Sequence, residues 1–147
     1  MSFQDDPNII RWRLHLNSPI ANVYHALSTD AGRASFWAES AIEQDGAIHF
    51  VFPNNVTWAA QVIYAIPPHK YALLYYGNSI ATFELVEDGQ GGTDLTLTDS
   101  GVSAQHRTEV IAGWVSVLMA LKAAVDFGVD LRSHDTERHW DNGYVEN

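Results

Sequence analysis

The run from Val110 to Val125, VIAGWVSVLMALKAAV, constrains the fold more than any other stretch of the chain. Val110, Trp114, Val117, Leu118, Leu121 and Val125 recur at the three-to-four spacing of one helical face. Ile111, Val115, Met119 and Ala123 make the remaining sides apolar too. A helix that is apolar on most sides must be buried or lie between two surfaces. Ser103 or a neighbour is expected to cap its start, and Gly128 to stop it just after Phe127. The run holds Gly113 and Lys122 and falls short of the roughly 20 residues that a bilayer span takes. It therefore reads as a core helix, with no membrane insertion.

A set of strands must cover that helix. Ile9 to Leu16 alternates, with Ile10, Trp12, Leu14 and Leu16 on one side and Arg11, Arg13 and His15 on the other, which is the pattern of an antiparallel strand with one wet face. Asn17-Ser18-Pro19 leads into a helix, with Ser18 placed to cap its free amides and Pro19 to take its first position. Thr29-Asp30-Ala31-Gly32 breaks this helix and starts a second short one through Phe36-Trp37. Strand-like runs then follow at 41–44, 47–52, 56–66, 71–76, 80–86 and 93–98. They are separated by Asp45-Gly46, Pro53-Asn54-Asn55, Pro67-Pro68, Gly77-Asn78 and the segment 88–92. Short connections without intervening helices require an antiparallel sheet. The expected class is α+β: a curved antiparallel sheet of six to seven strands wrapped around a long C-terminal helix, with two short helices after the first strand.

The 147 residues suit one domain. Residues 1–8 read as an N-terminal tail, 9–128 as the domain, and 129–147 as a polar extension that docks on the body or on a second subunit, as in a homodimer. Eight Lys and Arg against eighteen Asp and Glu give a formal charge of −10, which repels nucleic acid and anionic membranes. The absence of cysteine excludes disulfides, thiolate metal sites and cysteine nucleophiles. The start, Met1 to Pro7, lacks the basic and apolar run of a signal peptide, so a cytoplasmic location is expected.

Several segments, in order, resemble the SRPBCC or START-like superfamily, whose helix-grip fold is that of the birch-pollen allergen. They are Leu16 to Leu27, Phe36-Trp37, Val62 to Pro68, Ala81 to Leu85, Gly92 to Thr98 and Gly113 to Leu118. Within it the chain is similar to the branch named after the activator of Hsp90 ATPase. The resemblance implies a cavity between the long helix and the sheet, which the superfamily uses for lipids, sterols and aromatic polyketides. It also implies two alternatives: an interaction protein with an Hsp90-type chaperone as partner, and a cyclase-like or dehydratase-like enzyme.

The expected guest is a small apolar or aromatic molecule. The residues expected to line its cavity are Trp12, Phe36, Trp37, Phe50, Phe52, Trp58, Tyr64, Tyr75, Phe83, Trp114, Leu118 and Leu121, because rigid aromatic walls hold a void open. Phe36-Trp37 and the loop near Gly77-Asn78 are placed at its entrance. Tyr64, Tyr75 and His49 are the candidates for acid–base chemistry, although nothing pairs them at a recognisable spacing. The tail concentrates His134, Asp135, His139 and Asp141, but its spacings match no tetrahedral metal site, so neither metal nor cofactor is expected. No Gly-rich phosphate loop and no Gly-x-Ser-x-Gly elbow occurs.

Overall fold

The computed structural model describes residues 4–146; the first three residues of the expected tail and Asn147 lie outside them. Seven strands form one antiparallel sheet: β1 (Ile9–Leu16), β2 (Ser40–Gln44), β3 (Ala47–Val51), β4 (Thr57–Ile66), β5 (Lys70–Leu74), β6 (Ile80–Glu87) and β7 (Thr93–Ser100). Their spatial order is β1-β7-β6-β5-β4-β3-β2, a meander from β2 to β7 with β1 added at the far edge. The short helices α1 (Ile20–Ser28) and α2 (Asp30–Ala34) carry the chain from one edge of the sheet to the other, and α3 (Arg107–Phe127) is the long C-terminal helix. This is the α+β helix-grip arrangement that the sequence predicts.

The pleat sorts the side chains. Ile10, Leu16, Ile48, Phe50, Tyr71, Leu73, Phe83, Leu85, Leu95 and Leu97 are buried on the inward face with α1 and α3. The β2–β3 hairpin turns through Asp45 and Gly46, both at positive φ (54° and 79°), as a two-residue hairpin loop with the strand's own twist requires. Thr29 closes one helix and opens the next: its hydroxyl accepts from the Gly32 amide at 3.0 Å. A Cβ on Gly32 would lie 2.6 Å from the Ala26 backbone, so only glycine permits α1 and α2 to meet this closely.

Two helix starts differ from expectation. Ser18 does not cap α1. Its hydroxyl lies 2.7 Å from Asp126 Oδ1, and Asp126 also accepts from the amides of Asn17 (3.0 Å) and Ser18 (3.1 Å). An ionised carboxylate is the stronger partner, so the last turn of α3 takes the groups that α1 would otherwise use. Ser103 likewise leaves the first turn of α3 alone, because its hydroxyl meets the His106 ring at 2.9 Å. α2 also ends at Ala34, short of Phe36-Trp37, and the turn after it drops the Trp37 ring into the core.

By length and composition α3 could cross a membrane, yet Trp114, Leu118 and Leu121 are buried against the core. Its outer side, with Val115 and Met119, is exposed, so the helix is not covered all round as its composition predicts. After Gly128, at φ 65°, the chain turns back across the body. The buried Arg132 donates to the carbonyls of Ala38 (2.7 Å) and Ala34 (2.6 Å) and pairs with Asp130, so residues beyond α3 are fastened to the turn that carries Trp37.

Trp114 lies among Trp37, Tyr75 and Phe83 at ring-centroid distances of 5.2–6.0 Å. Trp114→Ala is expected to cost about 3–5 kcal/mol, the usual loss for a buried large aromatic, read as a lower urea midpoint with unchanged slope.

Burial opposes ionisation of Asp126, but the Asn17 amide, the Ser18 hydroxyl and the Lys122 ammonium outweigh it and hold the carboxyl below its ordinary 3.8. A depressed carboxyl stabilises the fold at pH values above the unfolded value, and that contribution is lost as pH falls through the folded one. Asp126→Asn is therefore expected to destabilise by roughly 1.5–3 kcal/mol at neutral pH, the range for hydrogen bonds to a charged group. Its difference from the parent should shrink in denaturation curves taken below that carboxyl value.

Candidate functional site

A pocket of about 250 Å³ opens between the first half of α3 and the sheet. α3 supplies Val110, Gly113, Trp114 and Val117. Phe52 follows β3, Trp58 lies on β4, Tyr75 and Tyr76 follow β5, and Asp99 lies on β7. The rings stand close: Phe52 to Trp58 at 4.4 Å, Trp58 to Tyr76 at 4.8 Å and Tyr75 to Trp114 at 5.2 Å, all three pairs tilted, with Trp58 nearly perpendicular to Tyr75 at 86°. Such walls cannot collapse together as aliphatic chains would, which keeps the space open. A Cβ on Gly113 would meet nothing within 4 Å. The absence of a side chain there is part of the opening.

Three polar groups are set into this apolar lining. Asp99 is 0% exposed, and its Oδ2 accepts from Trp114 Nε1 at 2.8 Å. Its Oδ1 is buried with no hydrogen-bond partner among the described residues, and so is Trp58 Nε1. Burial pushes the Asp99 carboxyl above its ordinary value, against the lowering pull of the Trp114 indole and the Ser79 hydroxyl. The Tyr75 hydroxyl accepts from Trp37 Nε1 at 3.0 Å and keeps its own proton for donation. Burial raises the Tyr75 pKa far above the usual phenol value and the Asp99 charge adds to this, while the Trp37 hydrogen bond opposes it. The phenol therefore stays neutral.

The mouth is edged by His106 and Glu109 of α3, by Asn54, and by Trp140 and Asp141 from the C-terminal segment. Trp140 Nε1 donates to Glu109 Oε1 at 3.1 Å and Asn54 Nδ2 donates to Asp141 Oδ2 at 2.9 Å, so the tail is tied to both sides of the opening.

Of the twelve residues named from the sequence, Phe52, Trp58, Tyr75 and Trp114 meet at the pocket. Phe36, Trp37, Phe50, Phe83, Leu118 and Leu121 are buried in the core without lining it. Phe36 and Trp37 are thus not at the entrance: Trp37 sits behind the pocket, in contact with Phe36, Phe50, Tyr75, Phe83 and Trp114. Trp12 packs half-buried beside α3, its indole 3.4 Å from the Ile111 carbonyl. Tyr64 is on the opposite surface, 54% exposed under the Lys70 ammonium. The register slips between Val62 and Tyr64, so Tyr64 pairs with Ala72 and not with the inward Tyr71. That bulge reverses its face.

His49 is exposed between the buried Ile48 and Phe50, so the three acid–base candidates are not brought together. Asp99 was not foreseen, although Leu95, Leu97 and Asp99 alternate in one phase of β7, which sets a carboxylate on an apolar face. Among the described residues no group of three His, Asp or Glu is arranged for a metal ion. His134 instead bridges Asp130 (2.6 Å) and Glu39 (2.7 Å), and those two carboxylates raise its pKa.

The Aha1 dimer of Colwellia psychrerythraea superposes with a TM-score of 0.74 at 21% identity over 82% of this chain and 97% of that one. A Staphylococcus saprophyticus protein gives 0.73 at 21% identity over 87% and 98%. DynU16, a protein of the dynemicin biosynthetic locus, gives 0.71 at 17% over 84% of this chain and 49% of its own. At these identities the likeness is one of fold. No curated protein matches the sequence. The model of the activator of Hsp90 ATPase homolog 1-like proteins matches residues 17–126, and the chain belongs to that family.

Proposed function

We propose that this protein binds a small, mainly apolar, ring-containing molecule in the pocket between α3 and the sheet, holding it without covalent chemistry. The observation that carries this reading is the unpartnered Oδ1 of the fully buried Asp99, set among the rings of Trp58, Tyr75 and Trp114. Pockets for small molecules combine apolar walls with a few placed polar groups, and this one has that composition. At about 250 Å³ it falls below the roughly 300–1,000 Å³ of drug-sized sites, which suits a guest of one or two rings.

The three polar groups do not amount to a nucleophile with its base. Tyr75 is neutral, and no histidine meets the buried oxygens of Asp99. Binding therefore has more behind it than turnover.

Gly113 supplies a direct test. Gly113→Leu replaces the poorest non-proline helix former with a good one and directs its side chain into open space, so the fold should hold or gain about 0.5–1 kcal/mol. In the parent, small aromatic compounds should quench the emission of Trp58 and Trp114 and raise the melting temperature; in Gly113→Leu both responses should vanish. A broad panel that leaves the parent silent would refute the reading.

Asp99 gives a second expectation. Its carboxyl is raised, so the folded state holds the proton more tightly than the unfolded chain, and stability falls as pH rises from the unfolded value through the folded one. Asp99→Asn keeps an acceptor for Trp114 and removes that loss. It should melt higher than the parent at neutral pH, with the gap closing as pH is lowered, and it should bind the guest less well.

A further inference from the structure

We propose that the guest is an organic cation, a protonated amine or quaternary ammonium carried on an aromatic body. This rests on the binding reading above and narrows it. Among the described residues the carboxylates around the pocket are Asp99, Glu109 and Asp141, and no lysine or arginine lines it. Glu109 and Asp141 each receive one neutral donor, from Trp140 and Asn54, and lie at the exposed rim. Asp99 is different. It is wholly buried, one oxygen is satisfied by Trp114, and the other has no partner among the described residues.

A buried carboxylate short of a partner is costly, and an arriving cation supplies what is missing. The walls point the same way, because the faces of Trp58, Tyr75, Tyr76 and Trp114 carry the negative quadrupole to which cations are drawn. The overall charge of −10 enriches cations at the mouth. His106, also at the rim, immediately precedes α3, and its ring nitrogen meets the Ser103 hydroxyl at 2.9 Å.

Calorimetric titration with four single-ring probes of similar size decides it: phenethylammonium, benzyltrimethylammonium, 2-phenylethanol and phenylacetate. The two cations should bind about tenfold or more tightly than the alcohol, a difference of about 1.4 kcal/mol, with phenylacetate weakest. In Asp99→Asn, verified as folded by its melt, the cations should lose more affinity than the alcohol, so that the gap between them closes. Alcohol or phenylacetate binding as tightly as the cations in the parent would overturn the charge inference and leave the pocket in use for a neutral or anionic guest. That outcome is a hydrogen-bonding role for a protonated Asp99. Failure of all four probes also overturns it, and the binding reading is then judged separately by the broad panel and Gly113→Leu. The probe series on the parent needs no substitution, so instability of Asp99→Asn does not blunt the test.

Discussion

Everything about the interior follows from where Trp37 goes. A sheet of seven strands with one apolar face needs a cover, and α3 alone is long enough to run along it. The two surfaces leave a hollow, and Trp37 fills its middle, wholly buried and in ring contact with residues from β3, β6, α3 and the end of β5. Its indole N–H is satisfied by the Tyr75 hydroxyl, so a group that would be costly to bury fixes the position of a pocket residue. The hollow is thereby divided. Behind Trp37 is packed core, and in front of it remains a small pocket at the first turns of α3.

Two buried aspartates show how environment separates structure from function. Asp126 ends α3 with its carboxylate surrounded by amides, a hydroxyl and an ammonium, and it is held below its ordinary pKa. It is a clamp between the chain's last helix and its first, in which charge is fully used. Asp99 holds one hydrogen bond, from the Trp114 indole, while the nearby Ser79 hydroxyl donates to the Tyr76 carbonyl, and its carboxyl is raised. A carboxylate that the fold does not fully satisfy contributes little to stability. Its reason for being there is sought in what enters the pocket.

The fold was largely legible because its signals are local. The alternation of β1, the Asp45-Gly46 hairpin and the apolar helix each rest on neighbouring residues, and each is where the pattern puts it. The site was legible only in part, because it depends on phase and distance. Tyr64 changes face at a bulge that no letter announces. Trp37 leaves the surface because α2 stops at Ala34, two residues before the expected continuation reaches Phe36. Ser18 has the right letter and place for a cap, but a carboxylate more than a hundred residues away competes better for its bonds. Asp99 was a readable omission, since its phase with Leu95 and Leu97 is visible in the sequence, and so were Val110 and Val117, which share a helical face with Trp114.

The rim adds a consequence for specificity. The stretch that the family model matches, residues 17–126, contains the floor and walls of the pocket: Phe52, Trp58, Tyr75, Asp99 and Trp114. Trp140 and Asp141, at the mouth, lie beyond that stretch. They are held there by Glu109 and Asn54, and upstream by Arg132, whose bonds to Ala34 and Ala38 secure the same turn that inserts Trp37. One strap thus reaches both the back and the front of the pocket. A change confined to the tail would therefore reshape the opening and leave the rings behind it in place.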